Sequence, residues 1–223
     1  RIDLAAIYKT VPFYAIMGFA LLNVWGAFSL SSQGFGAPLL PTTGALLRAI
    51  GGGYTFFILL IVIYYAGEVV HRERQVGVAD VLDGMPFANG VMVASKIVSL
   101  WFIIGCLLGL AMLAAVTSQL IEGYTNFEFG LYFLSLFFVQ GGFFFLLAVF
   151  AVFVQVLTGN KWLGMVAVLA TFIFFQALPS WDFQHGLYLF VPAPAPYSDM
   201  NGYGHYLLPV AAFTLYWTFF CAL

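Results

Sequence analysis

Charge is scarce in this chain. Its 223 residues include seven Lys and Arg and nine Asp and Glu, or 7% in all, where a soluble domain carries about 25%. A water-soluble globule is thereby excluded, and an integral membrane protein is expected. The few Lys and Arg form no basic stripe, which argues against nucleic acid as a partner. Cys106 and Cys221 both lie inside apolar runs, so they read as buried thiols and identify no redox compartment. No glycine-rich phosphate loop is present: Gly34, Gly36 and Gly51–Gly53 lack the Lys that must follow, so the chain itself is not expected to hydrolyse ATP. His71-Arg72-Glu73 lacks the second His of a zinc-peptidase helix, and no Ser/His/Asp set or carboxylate pair is placed for catalysis. His185 and His205 share one segment with Asp182 and Asp199, at spacings that fit no metal template. Catalytic residues, resident cofactors and metal ligands are therefore not expected. No acid, His or Arg sits deep in an apolar run, which argues against a proton- or voltage-driven mechanism.

What is present is length without charge. Six apolar runs, about 11–30, 48–70, 96–117, 131–157, 162–178 and 206–223, are long enough to cross a core of ~30 Å. The fold class expected is all-α, integral membrane, with six transmembrane helices in one domain over 1–223. Residues 1–10 alternate apolar and charged positions and suit a short interfacial helix leading into the first span. Residues 31–53 are rich in Gly, Pro and Ser and read as a loop, with a helix restart near Thr43. The long fourth span is expected to tilt, to kink at Gly141-Gly142 or to begin at the interface, and Thr158–Lys161 is a tight turn. The chain lacks an initiator Met and stops in an apolar run, so a piece of a longer protein is expected.

Six spans place the loops on alternate sides. Arg1, Lys9, Arg72, Arg74, Lys96 and Lys161 fall on one side, and Arg48 alone on the other, with Glu122, Glu128, Asp182 and Asp199. The positive-inside rule puts the first set and the N-terminus in the cytosol.

The stretch from Glu68 to Lys96 holds most of the cytosolic charge. On a helical wheel over 72–85, Arg72, Glu73, Val76, Asp80 and Asp83 share one arc. Val78, Val81, Leu82 and Met85 share the opposite one with Arg74, and Gly84 and Pro86 end the helix. Such a helix either rests on the membrane or offers its polar face to a soluble partner. Glu68 and Lys96 stand at the two ends of the hairpin base, as an ion pair across a hinge or as independent interfacial charges.

In the segment 179–205, Asp199, Asn201, Gly202 and Gly204 suit a compact turn approached by Pro192, Pro194 and Pro196. Tyr197, Asp199, Asn201, Tyr203 and His205 are the candidate outer gate, with a structural plug as the alternative and Trp181–Val191 as a candidate re-entrant piece. Gln140, Gln155, Asn160 and Gln176 either bond helix to helix or line a path. Phe143–Phe145 cover three sides of a turn and cannot all line one.

Gly67-Glu68, Arg72-Glu73-Arg74, Asp80-x-x-Asp83-Gly-x-Pro86 and Lys96 together resemble the signature of ABC-2 type permeases, the membrane subunits of ATP-binding-cassette exporters. The stretches Glu122–Tyr132 and Pro196–His205 are similar to the second six-span half of bacterial proteins that fuse permease segments to an M1-type aminopeptidase. The resemblance covers the whole chain. It implies a bacterial inner-membrane exporter half that pairs with a second half. A coupling helix at about 72–86 would dock an ABC ATPase through Arg72, Glu73, Arg74, Asp80 and Asp83, with ATP and Mg held by that partner. It also implies an alternative, a membrane anchor for an M1 peptidase that transports nothing; any H-E-x-x-H motif would then lie beyond Leu223.

Overall fold

A computed structural model describes residues 14–15, 17–19, 21–22, 25–26, 40–78, 89–183, 185–190, 195, 197–198 and 200–222. Among these residues the chain is helical, with one isolated antiparallel bridge between Ser198 and Gly202. The interfacial helix expected over 1–10 and most of the first span lie outside the described residues. Those of the first span that are described are helical, and Phe19 packs edge-on against Phe57 at 5.3 Å.

Helix α1 (Thr43–Ala49) starts where Thr42 caps it, Oγ1 accepting from the Ala45 N–H at 3.4 Å. It continues without a break through a π turn, Ile50–Tyr54, into α2 (Thr55–Gln75). The helix restart expected near Thr43 is found there; of the two readings of residues 48–53, loop or start of the second span, the span holds, since Gly51–Gly53 are helical. Their intrinsic cost of about 1 kcal/mol per glycine is outweighed because the turns on either side bury Leu46, Leu47, Ile50, Tyr54 and Ile58. The Tyr54 hydroxyl ties this turn to α3 by donating to the Leu107 carbonyl at 2.5 Å.

Helix α3 (Asn89–Ile121) extends beyond the expected 96–117 at both ends. Helix α4 (Phe129–Phe133), a second π turn (Leu134–Gln140) and α5 (Gly141–Thr158) form the next rod. The irregularity expected at the Gly pair lies just before it, as that π turn. Gly159 at φ 61° closes α5, and Asn160 caps α6 (Lys161–Ala177), its Oδ1 accepting from the Trp162 and Leu163 N–H groups. A 3-10 turn carries the chain on to Trp181, and α7 spans Leu207–Ala222.

Among the described residues four helical segments are long and apolar enough to cross a membrane: Thr55–Gln75, Gly90–Ile121, Phe129–Thr158 and Lys161–Trp181. Helix α7 is apolar but shorter. The core lies where α2, α3 and α5 meet, around Ile58, Val62, Ile104, Leu108, Phe144 and Leu147. Helix α2 is central and mostly buried, and α6 is peripheral and mostly exposed. The outward residues of α6, Trp162, Leu163, Val166 and Ile173, are apolar, as a lipid-facing helix requires.

Candidate functional site

Two polar regions stand at opposite ends of this bundle. The first surrounds the last turns of α2. His71 is buried and pairs with Gln155 of α5, Nε2 to Oε1 at 3.1 Å. The Gln155 amide donates in turn to the Lys161 carbonyl at 3.4 Å. Lys161 Nζ meets Glu68 Oε2 at 2.5 Å and lies over the Tyr64 and Trp162 rings at 5.6 and 5.7 Å. Lys96 of α3 is buried; its Nζ donates to Glu73 Oε1 at 2.8 Å and to the Val69 carbonyl at 3.2 Å.

A close approach of backbones makes this network possible. A Cβ on Gly67 would meet Met165 Cε at 2.7 Å, and one on Gly164 would collide with the Gln155 amide. The three helices α2, α5 and α6 touch here because neither glycine carries a side chain.

The expected charge pairing is corrected in its partners. Glu68 bonds Lys161, and Lys96 bonds Glu73, so the two hinge candidates do not pair with each other. The helix boundary also differs. Arg72, Glu73 and Arg74 form the last turn of α2 and not part of a separate helix over 72–86, because Gly77 at φ 73° ends the rod. Arg74 is exposed, Arg72 and Glu73 are half-buried, and neither arginine meets a described acidic side chain. Asp80 and Asp83 lie outside the described residues.

The second region is a cavity of about 570 Å³ at the other end. Both π turns border it, the first through Gly51 and the second through Ser135, Val139 and Gln140. Widened turns of this kind occur often at functional sites. Phe143, Phe144 and Phe172 supply much of its apolar wall, and Arg48, Gln140 and Gln176 its amides and charge. Phe145, third of the aromatic run, turns away and packs on Trp101.

The segment before α7 covers this cavity. Ser198 and Gly202 exchange backbone hydrogen bonds of 3.0 and 2.7 Å, forming a compact turn. Tyr203 is buried, contacts Tyr197 edge-on at 5.5 Å and donates its hydroxyl to Ser135 Oγ. Burial raises the Tyr203 phenol above its ordinary range, with the Ser135 bond opposing, so it remains a protonated donor. Of the gate candidates, Tyr197 and Tyr203 line the cavity, and Asn201 is exposed on the turn. Asp199 and the side chain of His205 lie outside what is described. Phe190 enters the bundle as a plug, buried among Phe143, Phe150, Phe175 and Trp217 at centroid distances of 5.9, 5.3, 5.9 and 4.8 Å. His185 lies on the same segment, its Nδ1 accepting from the Leu187 N–H at 3.3 Å.

The four polar span residues divide by role. Gln155 bonds helix to helix, Asn160 caps α6, and Gln140 and Gln176 line the cavity. The sequence pattern singles out His71 only as a rejected zinc ligand, and singles out neither Ser135 nor Gln119. The last is fully buried and joins the Pro41 carbonyl to the Tyr132 hydroxyl, at 2.9 and 3.0 Å. A lone amide or hydroxyl in an apolar run marks a buried bond, and that was the only signal available for them.

Compared with family models, curated proteins and solved structures, the chain matches none of them.

Proposed function

We propose that the chain is one six-span half of an ABC-2 type exporter permease of the bacterial inner membrane, with its N-terminus in the cytosol. ATP hydrolysed with Mg on a partner ATPase moves the segment after α2, and a second permease half completes the path. The observation that carries this reading is the mechanical one. Helices α1 and α2 run as one rod from the cavity to the charged turn at Arg72–Arg74; the Glu73–Lys96 pair binds that turn to α3, and the Glu68–Lys161 pair, about one turn earlier, binds α2 to α6. A docked motor pushing there moves a framework rather than a loose loop. Among the described residues the buried ionisable groups His71 and Lys96 sit near one end of the bundle and are engaged by Gln155 and Glu73, which supports an energy source outside the membrane rather than a proton or voltage relay.

The test uses the arginines that no described acid engages. Arg72→Glu with Arg74→Glu is expected to reduce co-purification with a candidate ABC ATPase at least about tenfold, since each reversal replaces an attraction worth on the order of 1 kcal/mol by a repulsion. Unchanged co-purification would remove the docking role. Failure of the intact complex to stimulate ATP hydrolysis after reconstitution would favour the anchor for an M1 peptidase.

A further inference from the structure

The cavity carries one unspent charge. Among the described residues Lys96 and Lys161 are each held by a carboxylate, whereas Arg48, on the last turn of α1, meets no acidic group. Arg48 and Gln176 are exposed and also line the cavity, so they mark its mouth. The side-chain amides of Gln140 and Gln176 have no hydrogen-bond partner among the described residues. Behind them the walls are Leu47, Val139, Phe143, Phe144 and Phe172. Thr43, where α1 begins, lies roughly 8 Å of helical rise from Arg48, within reach of a snorkelling guanidinium.

We infer that this cavity binds an anionic membrane lipid, with its phosphate at Arg48, its ester groups against Gln140 and Gln176, and an acyl chain between Phe143, Phe144 and Phe172. A cavity of about 570 Å³ is of ligand size, and its walls include residues of helices long and apolar enough to lie in lipid. An acyl chain gains little by moving from bilayer to apolar protein wall, because both are equally apolar. Discrimination must therefore come from the headgroup: both lipids carry a phosphodiester that Arg48 can bond, but the choline cation offsets that charge, whereas an anionic headgroup leaves it whole. The inference rests on the membrane-spanning reading and not on ATPase docking.

The experiment contains no ATPase, so the two readings fail separately. The purified chain is placed in nanodiscs holding phosphatidylglycerol with a photoreactive acyl chain, or phosphatidylcholine with the same chain, and adducts are mapped by mass spectrometry. Adducts are expected around 139–144 and at Phe172, with the anionic lipid favoured roughly three- to tenfold, the range of one exposed charged hydrogen bond. Arg48→Gln is expected to lower labelling to the phosphatidylcholine level while thermal unfolding stays unchanged, and Arg48→Lys to restore part of it. Millimolar inorganic phosphate is expected not to compete. Equal labelling by the two lipids, indifference to Arg48→Gln, or adducts confined to the outward face of α6 would overturn the inference. Displacement by phosphate would overturn it too, by making a free anion the ligand.

Discussion

Glu73 and Glu68 each hold a lysine, yet the two pairs should not be equally valuable. The Lys96 side chain is 8% exposed, and no ring or second carboxylate among the described residues approaches it. Lys161 is 16% exposed and keeps the faces of Tyr64 and Trp162 if its carboxylate is lost. Glu73→Gln leaves an ammonium buried with an amide and a carbonyl for company, and is expected to cost about 1–3 kcal/mol. Glu68→Gln should cost clearly less. Thermal unfolding of the two variants in one detergent, side by side, checks the order; equal costs would mean that burial of Lys96 carries no penalty. At this scale the sequence told which charges belonged to one end of the molecule, but not which would meet. Lys161 lies ninety-three positions from Glu68, and a pairing set by the approach of α2 and α6 at Gly67 and Gly164 has no local signature.

At the scale of elements, boundaries that depend on local chemistry were legible. Gly159 and Asn160 announce the turn between α5 and α6, and the helix found at Lys161–Ala177 differs from the expected 162–178 by one residue at each end. Boundaries decided by packing were not. Three consecutive glycines argue for a loop, yet Ile50–Tyr54 is a helical turn because Ile50 and Tyr54 are buried against the core. Beyond α2, the apolar spacing of Val78, Val81 and Leu82 continues a helical pattern through Gly77, and only the left-handed backbone there ends the rod. Gly52 makes the glycine result testable, since it is exposed and a Cβ there would meet no atom within 4 Å. Gly52→Ala is expected to stabilise the protein by about 0.5–1 kcal/mol, the helix propensity gained. A lower unfolding temperature would mean that residue 52 needs a conformation only glycine tolerates.

The whole molecule has two polar ends and an apolar middle, and that much follows from where sixteen charges fall in 223 residues. The count of spans does not follow as directly, because α7 is shorter than the four long apolar segments. Sidedness can be measured. Single cysteines at Arg74 and Gly123, both exposed and at opposite ends, are introduced after Cys106 and Cys221 are replaced. An impermeant thiol reagent added to intact cells is expected to label position 123 at least about tenfold more than position 74, as the distribution of Lys and Arg dictates. Membrane rupture should equalise them; the reverse pattern would invert the orientation.

The unbroken run from α1 through the first π turn into α2 sets the scale of any movement. Arg48 and Arg72 are separated by roughly 35 Å of helical rise. A tilt of about 5° over that length displaces one tip by about 3 Å relative to the other, comparable with the small helix shifts that switch other proteins. The glycine-rich turn is the one place on the rod where the hydrogen-bond ladder already holds an extra residue. If the rod tilts, that turn is where its angle can change without unwinding, and Gly51 places it against the cavity wall.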